Sequence, residues 1–181
     1  MVALTLRLAF VAALLWAQAG FAQTENRPAE VQIKAAFLYK FGDFVQWPPA
    51  ALARADAPFV IGVLAADDLA GALEQLVANR SVQGHPVAVR RVRRGEPLAG
   101  LHVLFIGQAE SARLAETLAA ARGQAVLTVT ESENALAAGS MINFVAEDQR
   151  VRFDVALPSA ERGQLKISSR LLAVARRVIT S

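Results

Sequence analysis

A chain of 181 residues that is 54% hydrophobic and 19% charged has enough apolar content for a full core and too little charge for a disordered segment. Its net charge of +3 is small and its only basic cluster is Arg90, Arg91, Arg93 and Arg94, which argues against a nucleic-acid-binding face. It has no cysteine, and that excludes disulfides, thiol nucleophiles, thiolate metal sites and redox sensing together.

Arg7 gives a short basic start, Leu8 to Trp16 follow without a polar side chain, and small residues around Ala19-Gly20-Phe21-Ala22 close the segment. Basic start, apolar run and small-residue end are the order of a secretory signal peptide. Such a run is shorter than the roughly 20 residues a membrane span needs. Residues 1–22 are therefore expected to be removed after Ala22, with cleavage after Ala19, an uncleaved anchor or a buried N-terminal helix as the alternatives. Residues 23–181 then form one exported α/β domain, away from ATP and NADH.

The next signal is helical, from about Ala29 to Val45, with Asn26 as cap and Pro28 in the first turn. Val31, Ala35, Leu38, Phe41 and Val45 form its core stripe, widened by Ile33, Phe37 and Phe44. Pro48-Pro49 ends it. Phe59 to Leu64 reads as a strand buried on both faces, and Asp67 or Asp68 caps a helix carrying Leu69, Leu73, Leu76 and Val77. Pro86 to Val92 is a second, more exposed strand, and Leu101 to Ile106 a third. A helix capped by Ser111 and ended by Gly123 follows, then a fourth strand over Gln124 to Thr130. Short strand–helix connections of this kind predict a mixed, mostly parallel sheet in a three-layer α/β domain with flanking helices.

The last third departs from that rhythm. Met141 to Val145 and Val151 to Leu157 alternate around Glu147-Asp148-Gln149, predicting a C-terminal antiparallel hairpin. Alternation puts Val151, Phe153, Val155 and Leu157 on a covered face and Arg152, Asp154 and Ala156 on an uncovered one. Its outer edge is expected to be open, inviting pairing with another chain unless Arg150 and Arg152 guard it. A final helix, capped by Ser168 or Ser169, would carry Leu171, Leu172, Ala175 and Val178.

Reactive groups are sparse. His85 and His102 each lack a second histidine or an acid at ligand spacing, no Gly-x-Ser-x-Gly elbow is present, and Gly62 has no partner glycines for a dinucleotide loop. No catalytic residue, cofactor or metal is expected. No apolar stretch after the leader is long and charge-free enough to span a membrane. Ligands of open parallel sheets bind beyond the carboxyl ends of the strands, which makes Asp67, Gln108 and Thr130 candidate lining residues of a small-molecule pocket. Arg90, Arg91, Arg93 and Arg94 form either a solvated strand end or a patch for an acidic partner or anionic membrane surface. Trp47, at a helix end just before Pro48-Pro49 where burial is hard to complete, is a candidate partner contact or a plug for the core.

Ile33-Lys34-Ala35-Ala36-Phe37-Leu38-Tyr39-Lys40-Phe41 leading to Val45-Gln46-Trp47-Pro48 resembles the opening of the YfiR-like periplasmic proteins. The resemblance continues through Val103 to Gly107 and Val126 to Val129. It is densest in Gly139-Ser140-Met141-Ile142-Asn143-Phe144, Arg150-Val151-Arg152-Phe153 and Leu165 to Leu172. It implies a non-catalytic periplasmic α/β protein, a homodimer, that binds the periplasmic sensor region of an inner-membrane diguanylate cyclase and holds it inactive. Cyclic-di-GMP output and biofilm formation would fall accordingly. The Trp47-Pro48 corner and the hairpin with Arg150 and Arg152 are the elements it marks for partner binding. This chain departs from some family members in having no cysteine pair, so thiol-based control is not carried over, and from the family's frequent pattern in having Ala156 where Asn often stands.

Overall fold

A computed structural model describes residues 21–54 and 56–181. The predicted signal segment up to Gly20 lies outside the described residues. Helix α1 spans Phe21–Phe44, so Asn26 does not cap it and Pro28 lies within it. Proline removes one backbone hydrogen bond, and here that loss falls in the third turn and does not end the helix.

A short strand β1 (Val45–Gln46) and a 3₁₀ turn at Pro49–Leu52 follow. The sheet is then built from β2 (Phe59–Leu64), β3 (Ser81–Val82), β4 (His85–Val92), β5 (Val103–Ile106), β6 (Leu127–Thr130), β7 (Ile142–Glu147), β8 (Arg150–Ala156) and β10 (Arg177–Ile179). Helices α2 (Asp67–Val77), α3 (Leu114–Ala121), α4 (Leu157–Arg162) and α5 (Ser169–Val174) complete the fold, together with β9 (Lys166–Ile167). The spatial order is β10-β8-β7-β6-β5-β2-β4-β3, and β1 pairs only with β9. Strands β4, β2, β5, β6 and β7 run parallel, whereas β7–β8 is antiparallel. The architecture is therefore α/β, with a mixed and mostly parallel sheet.

Alternation of side chains across the pleat divides the core in two. Phe59, Ile61, Val63, Val103, Phe105, Leu127 and Val129 pack with α1 and α2 on one face. Leu64, Leu104 and Ile106 pack with Leu114 and Leu118 of α3 on the other. The crossovers after β2 and β5 thus lie on opposite faces, and the gap between these neighbouring strands is the topological switch point of a doubly wound sheet.

Several local expectations give way. Ala66 and Arg113, not Asp67 or Ser111, precede the first turns of α2 and α3, and neither makes a side-chain cap. Asp67 and Asp68 sit inside the first turn of α2, where their charge suits the helix dipole. Ser168 does cap α5, accepting from the Leu171 N–H at 3.3 Å, but Val178 belongs to β10 and not to that helix. Strand β10 pairs in parallel with Asp154, Val155 and Ala156, closing the part of the hairpin edge expected to be open. Both faces of β8 are consequently covered there, with Asp154 and Ala156 as buried as Phe153 and Val155. Ala156 occupies the cap position of α4, where it offers no side-chain acceptor. An Asn would supply one there.

Candidate functional site

The carboxyl ends of β2 and β5 open into a cleft of about 1230 Å³ at the switch point. Gly107, just after β5, permits this arrangement. A Cβ there would lie 2.3 Å from the carbonyl oxygen of Ala65, which itself adopts φ +58° after β2. Asp67 and Gln108, two of the three pocket residues expected from strand ends, line the cleft together. Thr130 does not. It is fully buried, donates to the Asn143 side chain at 2.7 Å and is bonded to Ser140 at 2.9 Å, so its hydroxyl fastens β6 to β7.

The residue after it, Glu131, reaches the cleft instead. Its carboxylate accepts from the Gln108 backbone N–H at 3.0 Å and from Lys34 Nζ at 2.6 Å. Lys34 also pairs with Glu30 one turn earlier in α1. Burial works against the charged form of Lys34, but hydrogen bonds to Glu131 and Glu30 outweigh it and raise its pKa above the ordinary lysine value. The Glu30–Lys34 spacing is legible in the sequence as a helical i,i+4 pair. Glu131, 97 residues from Lys34, carries no such signal. Gln149 from the hairpin turn completes the rim.

The four residues marked for partner binding are not brought together. Trp47 is only 8% exposed, packs edge-on against Phe59 at 5.1 Å between ring centroids, and donates to the His102 carbonyl at 3.3 Å. The expectation of incomplete burial fails because Phe59 and His102 close over the helix end. Pro48 beside it is half-buried. Both sit by the amino ends of β2 and β5. Arg150 and Arg152 are exposed at the opposite end, since β7 starts where β6 finishes and carries the hairpin beyond the parallel strands.

The basic cluster is mostly engaged within the chain. Arg91 pairs with Glu74 and Asp67, each at 3.1 Å, Arg94 pairs with the buried Glu110 at 2.7 Å, and Arg90 donates to the carbonyl of Pro97 at 3.0 Å. Both histidines are tied to the backbone. His102 accepts from the Val60 N–H at Nδ1 and contacts the Ala51 carbonyl at Nε2, both at 3.0 Å. Burial lowers its pKa. His85 Nδ1 lies 2.9 Å from the Ala57 carbonyl. Among the described residues no group of three or more His, Asp or Glu is placed to hold a metal, and no helix is long and apolar enough to cross a membrane.

A second concavity, of about 570 Å³, runs between α1 and α5. Ile33, Ala36, Phe37, Lys40, Phe41 and Phe44 recur at three- and four-residue steps along its α1 wall, with Arg170, Leu171 and Val174 opposite. Phe37 and Phe41 also pack edge-on against Phe153 at 5.4 and 5.3 Å between ring centroids, so this stripe lies directly over the hairpin. Ile33, expected in the core, is 44% exposed, because α1 carries more apolar width than the sheet can cover.

A doubly wound sheet with a charged crevice at its switch point and an apolar groove on its helical flank defines an α/β protein equipped for recognition. Residues 31–176 match the YfiR/HmsC-like family, and the chain belongs to it. No curated protein matches the chain. Membership places it with periplasmic regulators of diguanylate cyclase signalling, which are regulatory and not catalytic.

Proposed function

We propose that residues 23–181, freed of the leader, work in the periplasm as an inhibitory adaptor. The chain binds the periplasmic sensor region of an inner-membrane diguanylate cyclase and holds it inactive, lowering cyclic-di-GMP and biofilm formation. The family match over residues 31–176 is the observation that carries this reading. Physical support comes from a surface organised for contact. Arg150 and Arg152 present cations to solvent at the hairpin end, and the apolar groove exposes side chains that a lone soluble protein gains nothing by exposing. Trp47 contributes from beneath, by fixing Pro48 and the α1 exit. The test is biolayer interferometry between the purified mature chain and the sensor region of the cyclase. Saturable binding is expected, and the absence of binding from a folded sensor region would overturn the proposal.

One observation favours a second reading, a ligand-binding module that signals to another membrane protein: the cleft lies at the crevice where open α/β sheets bind ligands, with Asp67 and Gln108 on its rim. A metabolite that raises the melting temperature with no cyclase present would favour this reading, by mass action on the folded state. A library that leaves it unmoved would count against it.

A further inference from the structure

The groove between α1 and α5 points to what occupies it. Both walls are helices, whose backbone groups are already bonded internally, so no strand edge is offered and an extended peptide gains no main-chain pairing. Recognition there runs through side chains alone. Ile33 and Val174, 44% and 57% exposed, are the apolar anchors left uncovered. The groove also carries two cations and no carboxylate. The Lys40 side chain is 58% exposed and pairs loosely with Asp43 at 3.8 Å, and Arg170 takes part in none of the ion pairs among the described residues.

From this geometry we propose that the groove docks an amphipathic helix of the cyclase sensor region, apolar at i, i+3, i+4 and i+7 and flanked by aspartate or glutamate. This rests on the inhibitory-adaptor reading above. A second copy of the chain is a poorer occupant, because a two-fold interface built on this groove would bring the cations of one copy against those of the other, with no carboxylate in either lining. An acidic helix meets both cations and fills the apolar floor with the spacing that α1 itself displays.

Two variants test it, Val174→Asp on the apolar floor and the pair Lys40→Glu with Arg170→Glu on the rim. All three positions are exposed, so the fold should survive, and circular dichroism and thermal melting confirm that before use. Binding to the sensor region is expected to weaken roughly tenfold or more for each variant, as for loss of an anchor residue. Exchanging the partner helix's acids for lysine should restore affinity for the double variant. If the wild type binds and both variants bind equally well, the groove inference falls while the adaptor reading stands. If the wild type does not bind, both fall. If Val174→Asp instead converts a dimer to a monomer in light scattering, the groove is a homodimer surface and the proposal is overturned.

Discussion

Replacing Asp154 by alanine should unfasten the C-terminal strand from the sheet. The carboxylate is 2% exposed and accepts from Arg176 Nε and Nη2 at 2.8 and 2.6 Å and from Arg177 Nη2 at 3.0 Å. These contacts join β8 to β10, and Arg176 also reaches Glu147 across the hairpin at 3.5 Å. Stranding a buried charge by deleting its partner costs about 3–5 kcal/mol. Here the deleted group is the buried one, and the arginines, 33% and 60% exposed, return to water. The expected loss is therefore smaller, about 2–3 kcal/mol for charge-assisted bonds of this kind. Urea melts at neutral pH followed by circular dichroism measure it, and in thermal melts it corresponds to a fall of roughly 4–12 °C. The Arg176 hydrogen bonds hold the Asp154 carboxyl below its ordinary pKa of 3.8. Its contribution is therefore full above that pH and is lost as pH falls below it through the folded value, and Asp154→Asn should flatten the acid limb of the stability curve. A loss under about 0.5 kcal/mol, the range of ordinary surface substitutions, would refute the claim that this carboxylate is desolvated and essential to strand pairing.

Three further outcomes are expected. His102→Leu leaves the Val60 N–H and Ala51 carbonyl without partners, so stability should drop by about 2–3 kcal/mol in denaturant melts. Because burial depresses the His102 pKa below 6.5, wild-type stability should fall as pH drops below that value, with imidazole titration by NMR reporting the neutral form persisting to lower pH than in a free histidine. Gly107→Ala forces a Cβ against the Ala65 carbonyl and should cost about 1–3 kcal/mol or block folding, measured by soluble yield and urea melts. Gln149→Gly should raise stability by about 0.4–1 kcal/mol, because Asp148 and Gln149 both hold positive φ, at 49° and 59°, in a two-residue hairpin turn that favours glycine at its second position.

The strands of the parallel half were legible because a doubly buried strand leaves an uninterrupted apolar run, and Phe59 to Leu64 is found at those bounds. The hairpin was legible from alternation. Its surroundings were not. Val178 fits a helical stripe as readily as a strand, so nothing local revealed that β10 would return to β8 and bury Asp154. The site divides in the same way. Asp67 and Gln108 follow from the rule that crevices lie beyond strand ends, whereas Thr130 points inward because β7 pairs with its neighbours at that position. Lys34 and Glu131 meet only through tertiary packing. The groove was hidden in a stripe read as core, where Ile33 adds width that no element covers.

The central claim is regulation by contact. It is tested most directly by measuring cyclic-di-GMP in cells that keep the cyclase but lack this chain, with an exported copy restored from a plasmid. The account predicts that the nucleotide rises on deletion and returns to the starting level on restoration. Unchanged cyclic-di-GMP, with the cyclase present and active, would contradict it.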